Sequence, residues 1–277
     1  MSEAPSIGAG TPPEKAREEE ETLGSFLKFL AKLVLAVLIF RSFVFSPFTI
    51  PSESMLPNML EGDYLLAAKW PYGYSRYSLP FNAPLIPGRI FAGTPERGDI
   101  VIFKHPVTSE DYVKRAIGLP GDQVQMIAGV LHINGQPVEK APVEDFLLAF
   151  SYSGRCYQAN FVEQMPTGTF ACRYPQFRET LDNGVSYDVL DMGLKPQDTT
   201  RAFLVPEGHL FVMGDNRDNS LDSRYPAEAG RGVGLLPQEL LVGRATIVLW
   251  SHDDSFEWIK PWTWFTSARW SRIGDTF

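Results

Sequence analysis

Apolar positions along the chain follow two different rules. From Leu23 to Phe45 (LGSFLKFLAKLVLAVLIFRSFVF) they recur on every side of a helix. The uninterrupted run is Leu33 to Phe40, with Lys28 and Lys32 before it and Arg41 after it. A soluble helix shows a polar face, and this one has none. Long basic side chains snorkel to headgroups, so Phe26 to Phe45 reads as a span of about 20 residues, roughly 30 Å at about 1.5 Å each. The competing reading is a buried helix of a soluble domain. Beyond Ser46 the apolar runs shorten and become β-branched or aromatic: Ile100–Phe103, Tyr112–Ile117, Gln123–Ile127, Val130–Ile133, Leu210–Met213 and Ala245–Trp250. Turn signals such as Pro120–Gly121–Asp122 bound them, which predicts a β-rich body. Val130 to Val138 reads as a hairpin with a type I′ turn at Asn134–Gly135.

Two stretches fit neither rule. Residues 1–22 carry Glu3, Glu14 and Glu18 to Glu21 against Lys15 and Arg17, with Pro5, Pro12 and Pro13. That composition predicts a disordered acidic tail. About 139–200 is rich in aromatics and polar loops and reads as an inserted lobe. It contains Cys156 and Cys172, which either pair or remain free buried thiols. The tail is not basic and no A-x-A site follows Phe45, so the apolar segment is expected to stay as an uncleaved anchor. Lys28 and Lys32 favour a cytoplasmic N-terminus, against the weaker vote of Arg41. The organisation expected is a tail at 1–22, a transmembrane helix at 23–45 and an extracytoplasmic body at 46–277.

Composition then removes whole classes of function. A net charge of −8 over 277 residues speaks against nucleic acid as a partner. Two cysteines and four scattered histidines build neither a four-cysteine nor a histidine-rich metal site. Five of the six tryptophans, Trp250, Trp258, Trp262, Trp264 and Trp270, lie near the C-terminus. Tryptophan favours the membrane interface, so this end either rests on a bilayer or is simply packed.

Candidate chemistry begins just after the anchor, where Ser52 and Ser54 sit between Pro51 and Pro57. A serine needs a base to take its proton. None of His105, His132, His209 and His252 belongs to a recognisable serine–histidine motif, and only His209, near an acidic stretch, is worth weighing. Lys114 is the better candidate. Strand alternation puts Tyr112, Lys114 and Ala116 on one face and Arg115 on the other. A lysine buried among apolar groups loses its proton more easily, because desolvation penalises the ammonium. A polar loop, Gly214 to Arg224, follows the apolar run Leu210–Met213 and suggests a supporting hydrogen-bond network. It lacks the glycine and glutamate that an EF-hand requires at set positions.

These blocks occur in a telling order: Pro51-Ser-Glu-Ser-Met55, Arg97-Gly-Asp-Ile-Val-Ile-Phe103, Tyr112-Val-Lys-Arg-Ala-Ile-Gly-Leu-Pro-Gly-Asp122 and Gly214-Asp-Asn-Arg-Asp-Asn-Ser-Leu-Asp-Ser-Arg224. The chain closely resembles bacterial type I signal peptidases. The resemblance implies a mainly β fold, a coiled antiparallel sheet catalytic domain with a small inserted β lobe. It implies a Ser/Lys dyad serine protease, with Ser54 as nucleophile and Lys114 as general base. Ser52 and the Ser54 backbone N–H would form the oxyanion hole. Ser220 would hydrogen-bond Lys114, Asp215 would pair with Arg115, and Asp222 and Arg224 would support them. No metal or organic cofactor is implied. Substrates would be secretory preproteins with small residues at −1 and −3, bound in shallow pockets from Phe48, Ile50, Met55, Met59, Tyr112 and Val113. The enzyme would sit in the bacterial cytoplasmic membrane near the export translocon, its active site on the outer face. Glu53 departs from the glycine common there, and one span stands where some members have two.

Self-cleaving SOS repressors share the chemistry but need a helix-turn-helix domain. The Ser25-Phe-Leu-Lys28 match to the S-x-x-K pattern falls inside the anchor. A membrane-tethered β module that only binds peptides is the remaining rival, and it would not need Ser54, Lys114 and Ser220 together.

Overall fold

The computed structural model describes residues 23–150 and 156–277. The acidic tail expected over 1–22 lies outside them. The helix α1 spans Leu23–Phe43 and is long and apolar enough to cross a membrane. It stops short of the expected Phe45, because Phe45 already opens strand β1 (Phe45–Thr49). From Ile39 to Phe277 the chain is one compact unit.

Its scaffold is a seven-stranded antiparallel sheet ordered β1-β2-β19-β5-β6-β17-β18. Here β2 is Asp63–Ala68, β5 Ile100–Lys104 and β6 Asp111–Gly118. The others are β17 (His209–Met213), β18 (Leu236–Pro237) and β19 (Leu241–Ser251). The short β3 (Tyr74–Ser75) and β4 (Arg89–Ile90) pair with each other alongside. Register shifts interrupt β19 against both of its neighbours. Bulges of that kind raise local twist, and so curl a sheet. β2, β5 and β19 of this sheet share a buried cluster with the 50–59 segment: Ile50, Met55, Met59, Leu65, Ile100, Ile102, Val242 and Val248.

A four-stranded sheet follows, ordered β16-β7-β8-β9. β7 is Gln123–Ile127, β8 Val130–Ile133, β9 Gln136–Pro137 and β16 Phe203–Leu204. Asn134 and Gly135 turn the β8–β9 hairpin with φ of 54° and 78°, as a type I′ turn demands. The segment 139–200 adds two three-stranded sheets. One is β10-β14-β15 (Glu139–Pro142, Gln176–Thr180, Ser186–Leu190) and the other β11-β13-β12 (Phe146–Ala149, Phe170–Tyr174, Val162–Gln164). Tyr187 and Val189 of β15 pack with Val124, Leu131 and Phe211 in one cluster, so this segment shares a core with the body. Cys156 and Cys172 are disulfide-bonded, with Cα atoms 5.4 Å apart. The bond packs against Leu148, Tyr174, Leu190 and Leu56, the last only two residues from Ser54.

After β19 the chain turns back under β2. Asp63, fully buried, accepts hydrogen bonds from Ser251, Arg269 and Arg272. This anchors the short helix α2 (Thr263–Thr266) and the tryptophan-rich end. Trp258, Trp262, Trp264 and Trp270 all remain exposed there.

Candidate active site

Ser54 owes its position to a chain that runs out of strand. After Thr49, Ile50 still exchanges backbone bonds with the Gly62–Asp63 end of β2. Pro51 has no N–H to continue, and Glu53–Met55 make one 3₁₀ turn. Met55 and Leu56 are driven into the core, leaving Ser52 and Ser54 toward the surface. The turn is held from the far side of the molecule. The Asn216 backbone N–H donates to the Ser54 carbonyl at 3.1 Å, and its side-chain amide to the Glu53 carbonyl at 3.1 Å. The Asn219 amide donates to the Glu53 carboxylate at 3.3 Å. Gly214 leaves the room for this. A Cβ there would come within 2.5 Å of the Ser54 carbonyl oxygen and 2.2 Å of Ser220 Oγ.

Lys114 arrives from β6. Its ammonium donates to Ser54 Oγ at 2.6 Å and to the Val113 carbonyl at 3.1 Å, and 3 % of the residue is exposed. Burial pushes its pKa down to about 8, against the through-space pull of Asp222 and Asp215. Both carboxylates are already neutralised by arginines. Arg115, on the opposite face of β6, donates to both oxygens of Asp215 at 2.8 and 2.7 Å and to the Gly98 carbonyl. The Asn58 amide also donates to Asp215, at 2.8 Å. Burial alone would raise Asp222, but the Arg224 charge, its hydrogen bonds and the Gly214 N–H together hold it below the ordinary carboxylate range.

Ser52 Oγ lies 3.3 Å from Ser54 Oγ. The expected Ser220–Lys114 hydrogen bond is not formed. Ser220 is buried and its hydroxyl has no hydrogen bond of acceptable geometry. It bears on Asp222 instead, as one of the groups that favour the ionised carboxylate.

A groove of about 520 Å³ contains this pair. Phe48, Ile50, Met55, Tyr112 and Val113 line it as the sequence predicts, together with Ser52, Ser54 and Lys114. Met59 does not. It is wholly buried one layer below, packed in the cluster with Met55 and Ile50, because the 55→59 backbone bond turns it inward. Glu110, Asp111, Asn219 and Leu221 complete the wall; the last two belong to the polar loop Gly214–Arg224, which the sequence marks as a supporting network rather than as groove lining. No histidine lines the groove; His209 instead contacts the Glu207 carbonyl.

Two strand edges face the groove. β1 pairs with β2 on one side only. β6 pairs with β5 along Asp111–Arg115, whereas β17 reaches only Arg115 to Gly118. Among the described residues, Asp111 to Lys114 therefore keeps one edge without a strand partner.

Elsewhere, the carboxylates of Asp191, Asp198 and Asp218 come within 4.8 Å of one another. Lys140 pairs with Asp191, and backbone N–H groups donate to Asp218 and Asp198, so protein donors already serve this group.

The family model described as signal peptidase, peptidase S26, matches residues 23–250. The signal peptidase I of Rickettsia typhi is 37% identical over 262 residues, which cover 87% of this chain and 89% of that one. That of Rickettsia prowazekii is 36% identical over 275 residues, 92% of each. A solved signal peptidase I from Enterococcus faecalis V583 aligns over 54% of this chain and 95% of its own, at 25% identity and a TM-score of 0.29.

Proposed function

Since this chain belongs to the signal peptidase family, peptidase S26, we propose that it is a membrane-bound serine endopeptidase with a Ser54/Lys114 dyad, cutting signal peptides from secretory preproteins. The 2.6 Å contact between Lys114 Nζ and Ser54 Oγ in a groove carries the reading.

The chemistry follows from the surroundings. Once neutral, the Lys114 amine accepts the Ser54 proton as Oγ attacks the scissile carbonyl. Negative charge gathers on the carbonyl oxygen. The Ser52 hydroxyl and the Ser54 backbone N–H are the donors placed to receive it. Lys114 then returns its proton to the leaving amine, and water, activated by the same amine, releases the acyl enzyme. Arg115–Asp215 and Asp222–Arg224 keep their own charges paired, so the amine faces no strong anion that would fix its proton. A dyad of this kind calls on no metal or organic cofactor.

An extended substrate would lie between the free edges of β1 and of Asp111–Lys114, adding as a strand. Alternate side chains then point into the wall made by Phe48, Ile50, Met55, Tyr112 and Val113, whose bulk favours small residues at −1 and −3. Helix α1 would hold the body at the outer face of the cytoplasmic membrane, N-terminus inside, close to the translocon. The exposed late tryptophans suit the headgroup region.

The test is to incubate the detergent-solubilised protein with an unprocessed secretory precursor and map the cut by mass, with Ser54→Ala and Lys114→Ala beside it. One cut after a small-x-small site, absent from both variants, is expected. No cut by folded wild-type protein would sink the proposal.

A further inference from the structure

A second buried lysine stands a short way from the groove. Lys69, just after β2, is 2 % exposed. Among the described residues its ammonium makes neither a hydrogen bond nor an ion pair; it lies over the face of Phe48, 5.5 Å from the ring centroid. Unpaired buried ammonium groups are costly and therefore rare. This one opens into a cavity of about 300 Å³ that Arg41, Lys104, Ser42, Asn82 and Phe81 help to line.

The charge in that cavity is unbalanced. Asp111 also lines it, but pairs with Lys104 at 2.9 Å. Among the described residues, Arg41 and Lys69 are left as two cations without an ion-pair partner. Burial drives the Lys69 ammonium down to about 8, with Asp111 opposing and Arg41, Lys104 and Arg89 adding to the fall. An anion in the cavity would reverse that balance.

Location narrows the anion. Arg41 and Ser42 sit on the last turn of the apolar helix α1. At the cavity mouth Phe81 is fully exposed, held there by consecutive left-handed residues, Phe81 (φ 57°) and Asn82 (φ 53°). Non-glycine residues pay for that conformation, so an aromatic ring displayed this way needs a reason. An apolar ring beside a cationic pocket, at the end of a membrane-length helix, matches a lipid whose phosphate is bound and whose acyl chains begin alongside.

We propose that Lys69 and Arg41, with Lys104 behind them, form a binding site for a phosphate group, and that its occupant is the headgroup of an anionic phospholipid. The cavity shares Phe48 and Asp111 with the substrate groove, so an occupied site braces one wall of it.

The experiment is native mass spectrometry on the delipidated full-length protein in detergent. It is titrated with phosphatidylglycerol, with phosphatidylcholine and with inorganic phosphate, and Lys69→Met and Arg41→Gln are run in parallel. One phosphatidylglycerol should be retained, at least tenfold more tightly than phosphatidylcholine, and either substitution should weaken it at least tenfold. Equal phosphatidylglycerol binding by wild type and both variants would overturn the site. Inorganic phosphate binding as tightly as phosphatidylglycerol would overturn the lipid as its source. Thermal unfolding without lipid supplies a second readout. Lys69→Met should unfold at the same temperature or higher, since it removes an unpaired buried charge; a lower temperature would make Lys69 a structural residue. Arg41 is exposed, so Arg41→Gln keeps the binding test decisive even if Lys69→Met folds poorly.

Discussion

The Lys114 ammonium meets the Ser54 hydroxyl at 2.6 Å, and the two carboxylates that act on it through space are each already paired with an arginine. The amine is thus free to lose its proton. With a pKa of about 8, roughly a tenth is neutral at pH 7 and most at pH 9. kcat/KM should rise about tenfold per pH unit below 8 and level off above. The same shift makes a stability statement. The native state gives up this proton at about 8, before the unfolded chain does at its ordinary 10.5. The Lys114 contribution therefore improves as pH rises from about 8 to 10.5, and is at its most unfavourable below 8. A rate profile flat from pH 6.5 to 9 would remove Lys114 as the base.

Ser52→Ala should leave thermal unfolding unchanged, because Ser52 is exposed. Its hydroxyl lies 3.3 Å from Ser54 Oγ, where the oxyanion would form. A fall of about 10²–10³ in kcat with little change in KM is expected. Steady-state cleavage of a peptide with a small-x-small site reads both.

Arg115→Ala strands the buried Asp215. Breaking a buried pair costs about 3–5 kcal/mol, and for a body of this size each kcal/mol shifts Tm by about 2–4 °C. The double variant Arg115→Met/Asp215→Leu should recover much of the loss. Chemical denaturation of the single and double variants measures the coupling, and additive losses would show that the two side chains are independent.

Gly214→Ala adds one carbon in the space between the Ser54 carbonyl and Ser220. The turn bearing Ser54 must shift by a large fraction of an ångström, and displacements near 1 Å cost about 10² in rate. The kcat of the Gly214→Ala enzyme should fall by that order. Ordinary activity in a variant that folds normally would mean the turn can yield without moving Ser54 Oγ.

Cys156→Ala/Cys172→Ala should lower stability by about 3 kcal/mol, the loop-entropy value for a link spanning 16 residues. Because Leu56 packs in the same cluster as the cystine, some loss of activity should accompany it. Denaturation curves with and without reductant check the first expectation, and peptide cleavage the second.

What the sequence made legible was local. β7 and β8 coincide with short β-branched runs bounded by turn signals, and Asn134–Gly135 turns where its φ angles allow. The opposed faces of Lys114 and Arg115 followed from the period of a strand. β1 escaped notice because Phe45 reads as the end of the apolar helix and Ser46–Thr49 is a short stretch broken by Pro47, and only pairing with β2 makes it a strand. Met59 was assigned to the groove on hydrophobicity alone, but its depth is set by layers contributed from β2, β5 and β19. Asn219 and Leu221 reach the groove from some 165 residues beyond Ser54; the polarity of Gly214–Arg224 marks their loop as a support, but not these two side chains as part of the wall. The chemical roles of Ser52, Ser220 and Asp215 came from the family resemblance; of the two contacts it implies for them, Arg115–Asp215 is made and Ser220–Lys114 is not. Lys69 drew no attention, since one lysine ending the run Leu65–Ala68 looks like an ordinary strand end.

β19 occupies the middle of the seven-stranded sheet yet is its last strand in the chain, lying between β2 and β5. β2 leads back to the turn of Ser54, and β5 pairs with the strand of Lys114. Among the described residues, no strand joins the two halves of the sheet until residues 241–251 have been made. The growing chain is therefore a protease whose two reacting side chains sit on separate pieces of sheet until β19 arrives to lie between them.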